Sequence, residues 1–300
     1  MSYSQTVRRF LDDVRVMRSP QTLRNYEFFI KAFYSHVKKP DDEITVRDVI
    51  DFLKDGMERK GWKISSMRQM ANRALVIMQE IKDDQFIQQL KREISRLPRS
   101  RRYEALYEGN YVPGDKIDEF IEASPNEEYA VAHTMILKWG LRLDEMRSIT
   151  LANINPTDLI VTVRGKGQGA EGKVRQIFVD RASIIRVMRY MGCTEDEMAG
   201  RIPVPRERRT KTIVDKSERP IQYAWKRTAK KIGLQNWRKL SPHAGRHSYA
   251  IDFLRRRKKE GMNALVLLKN QLGHENINTT LIYLNISGIE ARDVFEAGER

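Results

Sequence analysis

The chain has one cysteine, Cys193, in 300 residues, so no disulfide forms within it and a reducing interior suits it. Acidic residues are in deficit as well: 40 Asp and Glu stand against 55 Lys and Arg, giving a formal net charge of +15 and a sequence pI near 9.8. Such a surplus is the electrostatic footprint of a polyanionic partner, although a basic surface without one would leave the same totals. No uniform apolar run approaches the roughly 20 residues that a membrane span needs. Arg8, Arg9, Asp12 and Asp13 interrupt the start of the chain, which does not read as a signal peptide. No membrane partner and a cytoplasmic location are therefore expected.

What is present describes a folded chain, since 40% of residues are hydrophobic and 32% charged. The length exceeds one average domain, so two cores are expected. Val7, Phe10, Leu11, Val14 and Met17 fall on one helical face. Ser19-Pro20 then reads as an N-cap with proline at the first helical position, opening a stripe through Leu23, Tyr26, Ile30, Phe33 and Val37. Thr45 and Asp48 have capping-box spacing before Val49, Ile50 and Leu53. Further helices carry Met67, Met70, Ala71, Ala74, Met78 and Ile81, then Phe86, Leu90, Ile94 and Leu97. The methionines read as core filler. Residues 1–97 are thus expected to form an all-helical domain.

Periodicity lapses over 98–113, where Arg99, Arg101 and Arg102 cluster with Tyr103, Tyr107 and Tyr111; this is the expected linker. Residues 114–300 form the second expected domain, mixed α+β. Helical spacing resumes at Ile117–Ile121 and Val131–Met146. A period change then predicts the one small antiparallel sheet, from Leu151–Ile154, Leu159–Val163 and Lys173–Val179. Helices follow at Ser183–Tyr190 and Gln222–Ile232, separated by an arginine- and lysine-rich surface loop over 201–220. The fold class is mainly α.

Three motifs invite chemistry. Gly167-Gln-Gly-Ala-Glu-Gly172-Lys173 has P-loop spacing, but Val174 replaces the magnesium-holding hydroxyl and a strand follows instead of a helix. A hairpin turn presenting Lys166 and Lys173 is the better reading. His243 and His247 are spaced i, i+4 as in helical zinc sites, yet Ala244 stands where the catalytic glutamate would be. His243 and Arg246, three apart in the first turn opened by Ser241-Pro242, suit a phosphate oxygen beside free backbone amides. A solvated helix carrying both would look alike. Arg142, at the expected C-terminal end of an apolar helix, has Glu145 three residues on; this is either a surface ion pair or a guanidinium held still for a phosphate.

In chain order these stretches are GLRLDE (140–145), RGKGQ (164–168), HAGRHSYA (243–250), LGH (272–274) and TTLIY (279–283). Together they resemble the tyrosine recombinases, the phage-integrase and Xer-like family, across essentially the whole chain. The resemblance implies a helical core-binding domain that contacts DNA, followed by a catalytic domain. It implies a site of Arg142, Lys166, His243, Arg246, His274 and Tyr283, with Glu145 holding from behind and no metal or nucleotide cofactor. Gly245 departs from the leucine of many members and Asp144 from their serine. Inside a helix Gly245 costs about 1 kcal/mol relative to alanine, so a locally looser helix is expected there.

The implied reaction is cleavage of double-stranded DNA at a specific site. A 3′-phosphotyrosyl link and a free 5′-hydroxyl form, and strands exchange through a Holliday junction in a tetramer on DNA. The residue types suit this chemistry. Arg142 and Arg246 would neutralise the charge that builds on the phosphate oxygens. The Tyr283 phenol, with an ordinary pKa of about 10, needs a proton acceptor; His243 is the first candidate, with His274 donating to a phosphate oxygen and Lys166 acting as general acid. His247 is expected to be structural. The tail residues Ile286, Ile289, Val294 and Phe295 suit a short helix on a neighbouring protomer or on their own chain. Alternative readings are a type IB topoisomerase-like or telomere-resolving enzyme, which shares the cleavage, and a non-catalytic DNA-binding protein of the same fold.

Overall fold

The structure, a computed structural model, describes residues 4–98, 110–165 and 173–287. Most of the expected linker, the glycine-rich turn with Lys166, and the tail residues Ile289, Val294 and Phe295 lie outside the described residues. The chain divides into two compact units, Met1–Arg102 and Tyr103–Arg300.

The first unit is helical: α1 (Gln5–Met17), α2 (Pro20–Val37), α3 (Val46–Glu58), α4 (Ile64–Ile81) and α5 (Asp84–Arg96). Local chemistry sets the starts. Ser19 accepts from the Thr22 amide ahead of Pro20, Thr45 and Asp48 cap each other reciprocally, and Asp83 accepts from the Phe86 amide. Each such cap contributes about 1 kcal/mol. The core is aromatic at its centre: Phe52 meets Phe29, Phe33 and Trp62 edge-on at centroid distances of 5.9, 5.4 and 5.4 Å. Met67, Met70 and Met78 are buried around it.

The second unit is built on one central helix. After α6 (Ile117–Glu122), helix α7 (Glu127–Leu137) buries every residue from Ala130 to Leu137, the pattern of a helix covered on all sides. Its cover is α6, α9 (Arg181–Tyr190), α12 (Glu218–Lys231) and α13 (Pro242–Arg256). The antiparallel sheet β1 (Ile154–Asn155), β2 (Ile160–Arg164) and β3 (Val174–Phe178) has the order β1-β2-β3, with Val161 opposite Ile177 and Val163 opposite Arg175. Val161, Val163 and Ile177 are fully buried, so Arg175 shares the inward face with Ile177. Short helices α8 (Leu143–Ser148), α10 (Glu195–Met198) and α11 (Arg206–Arg209) connect these parts, and α14 (Met262–Leu272) and α15 (Asn278–Ser287) complete the unit. The Gln271 side chain ties α14 to β3, accepting from the Phe178 amide at 2.9 Å and donating to its carbonyl at 2.8 Å.

Three local expectations change. The helix expected over Val131–Met146 is two helices: α7 ends at Leu137, and Gly140 turns the chain at φ +68° before α8. A Cβ at Gly140 would lie 2.5 Å from the Tyr249 ring, so conformation and space both require glycine. Leu151–Asn153 forms a 3-10 turn capped by Thr150 and Asn153, leaving β1 only two residues. The 201–220 segment is no free loop throughout, because Ile213 and Val214 are buried and Arg208 forks onto Glu197 at 2.7 and 3.1 Å.

Gly245 also departs from expectation. An added Cβ would fall 2.4 Å from Trp225 Cη2 and 2.6 Å from Ile136 Cγ2. The missing side chain lets α13 close on α7 and α12, so glycine here serves tight packing.

Candidate active site

The turn at Gly140 places Arg142 at the N-cap of α8, not at the end of a helix. There the Arg142 amide donates to Glu145 Oε2 at 2.9 Å, and its guanidinium donates to Oε1 at 2.8 Å. From β3, Arg175 donates to both Glu145 oxygens at 2.9 Å and to the Gln271 carbonyl at 3.0 Å. Arg246 comes within 3.7 Å of the same carboxylate. Burial alone would push the Glu145 carboxyl up; the Arg175 hydrogen bonds and charge, joined by Arg142, outweigh it and hold it down at about 2. Glu145 is thus an anion at every physiological pH, with three guanidiniums arranged around it.

Arg246 is buried, donating to the Gly140 carbonyl at 2.8 Å and to the Leu272 carbonyl. Burial and the nearby Arg142 pull its pKa down to about 9, and it stays a cation at neutral pH. The same guanidinium therefore pins together the turn before α8 and the end of α14. Arg142 keeps 42% of its side-chain surface exposed. It lines an open cleft of ≈ 1270 Å³ together with Arg164, Lys173, Arg175 and Lys269. Lys173 is paired there with Glu275.

The histidines gather where α13 meets α15. His243 and His247 are one turn apart, with ring centroids at 4.7 Å and planes at 82°. His247 Nδ1 lies 2.8 Å from Tyr283 Oη. His274 lies parallel to the phenol at 6.5 Å, and its Nδ1 is hydrogen-bonded to Thr280 Oγ1 at 2.9 Å. Tyr283 itself is 2% exposed. All three imidazoles are pushed down, first by burial and then by cationic neighbours: His243 by Arg246 and Arg142, His247 to about 3 and His274 to about 4. Each is neutral at pH 7 and able to offer one donor and one acceptor.

Arg142, Glu145, His243, Arg246, His274 and Tyr283 therefore converge within one unit, while Lys166 falls outside the described residues. Sequence reasoning missed Arg175, though its alternation with Ile177 on β3 places it on the buried face and was a usable signal. It named His243 as the first candidate for the proton acceptor of Tyr283 and expected His247 to be structural; the hydrogen bond to the phenol is made by His247.

Among the described residues no helix is long and apolar enough to cross a membrane. Residues 110–288 match the phage integrase family. With more than half of its length matched, the chain belongs to that family; by class it is a tyrosine site-specific recombinase. The tyrosine recombinase XerA of Pyrococcus horikoshii is 23% identical over 93% of this chain and 88% of its own length. The tyrosine recombinase XerC of Leptospira interrogans is 21% identical over 98% and 93%. In fold, the chain is similar to the XerH site-specific recombinase bound to a palindromic difH substrate. The TM-score is 0.68 at 15% identity, covering 93% of this chain and 80% of that one. It is likewise similar to the Tn1549 transposon integrase in complex with circular intermediate DNA, with TM-score 0.66, 17% identity and full coverage of both chains.

Proposed function

We propose that the protein recombines double-stranded DNA at a specific site in the cytoplasm, cutting one strand of each duplex through Tyr283. The observation that carries this reading is a buried phenol beside neutral imidazoles and Arg246, next to a cleft that presents Arg142. An in-line attack by Tyr283 Oη on phosphorus adds charge to the non-bridging oxygens, and Arg142 and Arg246 stabilise it without needing to move far. His243 and His274 donate to the same oxygens, and Lys166 protonates the departing 5′ oxygen. The product is a 3′-phosphotyrosyl link that conserves the bond energy for rejoining, so exchange through a Holliday junction in a tetramer needs no external energy source. The net charge of +15 suits the phosphate backbone as partner. The DNA complexes of XerH and the Tn1549 integrase support the same partner. The helical first unit serves as the core-binding domain that grips DNA.

The test uses duplexes enriched from a random-sequence pool by binding to the protein, then nicked near the protected centre so that cleavage traps the enzyme. Wild type is expected to give an SDS-resistant protein–DNA adduct and Tyr283→Phe none. Adducts from neither would leave a non-catalytic DNA-binding protein. Relaxation of supercoiled site-bearing DNA without exchange between two sites would favour a topoisomerase-like enzyme.

A further inference from the structure

His247 has no role in that scheme, yet it is the histidine hydrogen-bonded to the phenol, with Nδ1 2.8 Å from Tyr283 Oη. The contact joins a half-buried imidazole on α13 to the buried phenol on α15. His274 commits its own Nδ1 to Thr280 at 2.9 Å, and its ring lies parallel to the phenol at 6.5 Å. His243 packs edge-on against His247, one turn nearer the N-terminus of α13, the end of a helix whose dipole favours an anion.

We propose that His247 is the residue that takes the Tyr283 proton during strand cleavage, which leaves His243 to hold a phosphate oxygen. The inference rests on Tyr283 being the nucleophile. As the bond from Tyr283 Oη to phosphorus forms, the Oη proton passes to His247 Nδ1. The bond from phosphorus to the 5′ oxygen breaks, and that oxygen receives a proton from Lys166. Rejoining reverses each transfer, with His247 returning its proton to Oη. The tautomer this requires carries hydrogen on Nε2 and leaves the Nδ1 lone pair facing the phenol.

The groups facing His247 are His243 and Arg246 on its own helix, His274 after α14 and Tyr283 on α15. In the DNA-free protein, burial and these neighbours push the imidazole down to about 3, so it is neutral and its lone pair is free to accept. A phosphodiester set against the same cations brings negative charge close by, and that raises the basicity of His247 at the step where it must accept a proton.

The experiment follows the rate of adduct formation on the nicked duplex from pH 6 to pH 10, alongside DNA binding by gel shift. It compares wild type with His247→Gln, His247→Phe and Lys166→Ala. His247→Gln keeps a polar side chain at this place and guards against loss of the fold in the phenylalanine variant. Both His247 variants are expected to bind DNA normally and to cleave at least about 100-fold more slowly at pH 7. Their rates should climb roughly tenfold per pH unit as the phenol ionises directly, while wild type stays level above pH 7. A substrate with sulfur in place of the bridging 5′ oxygen has a leaving group that needs no acid; it should restore Lys166→Ala and leave His247→Gln slow. Wild-type rates in His247→Gln, a slowed variant with a level pH profile, or rescue of that variant by the sulfur substrate would each overturn the proposal. Absence of an adduct from wild type itself would instead overturn the reading of Tyr283 as nucleophile, and the proposal with it.

Discussion

Arg175 grips both carboxylate oxygens of Glu145 at 2.9 Å, and through that carboxylate it governs where Arg142 and Arg246 sit. Three guanidiniums would repel one another in so small a space, and the buried carboxylate offsets that repulsion while fixing the Arg142 and Arg175 forks by hydrogen bonds. The exposed Arg142 is therefore pre-oriented toward the cleft before any phosphate arrives.

Removing the carboxylate leaves buried positive charge uncompensated. Glu145→Ala is expected to lose about 3–5 kcal/mol of stability by urea denaturation, and Glu145→Gln less, since the amide oxygen still accepts from one arginine. Both should lose adduct formation to a larger extent than DNA binding. A Glu145→Ala protein with unchanged denaturation midpoint and cleavage rate would contradict the network.

Gly245→Ala sets two effects against each other. Helix propensity favours alanine by about 1 kcal/mol, but the new Cβ would stand 2.4 Å from Trp225 and 2.6 Å from Ile136, two side chains locked in the core. Overpacking of this kind costs about 1–3 kcal/mol, so a net loss is expected. A raised Tm for Gly245→Ala in a thermal melt would mean that α13 does not close on α7 as described.

Much of the helical architecture is legible in the sequence, because caps such as Ser19-Pro20 and Thr45–Asp48 and the apolar stripes behind them act over a few residues. The turn at Gly140 is not legible in this way. Leu141, Met146 and the preceding apolar run keep helical spacing, and what breaks the helix is the Tyr249 ring and the Arg246 hydrogen bond from more than 100 positions away. The candidate site divides along the same line. Arg142, Glu145, His243, Arg246, His274 and Tyr283 are recognisable as ordered motifs, but the choice between His243 and His247 as partner of the phenol depends on how α15 lies against α13. No spacing within either helix encodes that.

Arg142 is half-exposed in the cleft, and Arg246 is buried, so the two should differ in how they couple to DNA. A side chain that neutralises one phosphate changes the slope of log affinity against log salt by about one unit. Arg142→Ala is expected to reduce that slope by about one and weaken binding alike on specific and random duplexes, with the Tm nearly unchanged. Arg246→Ala should lower the Tm as well, because it also frees the Gly140 and Leu272 carbonyls. Equal effects of the two substitutions on the Tm would show that burial does not separate them.

Acid should destabilise the second unit well before its carboxylates titrate. His133 is fully buried and held down to about 3 by desolvation, and His247 and His274 are held down to about 3 and about 4. A histidine with a folded pKa below the unfolded value of about 6.5 binds more protons when unfolded. Its contribution is therefore present above about pH 6.5 and is lost as pH falls toward the folded value. For His133 alone the loss at pH 5 is about 2 kcal/mol, which at about 2–4 °C per kcal/mol for a unit of this size lowers the Tm by about 4–8 °C. Glu145 adds its own loss only from about pH 4.5 down to about 2. Calorimetric melts from pH 8 to pH 4 should show a Tm that is level above pH 7 and falls steadily from about pH 6.5. His133→Phe, which removes the titrating group but keeps an aromatic ring against Phe120 and Trp225, should flatten the upper part of that fall. A Tm independent of pH between 7 and 5 would show that these histidines are not held neutral by the fold.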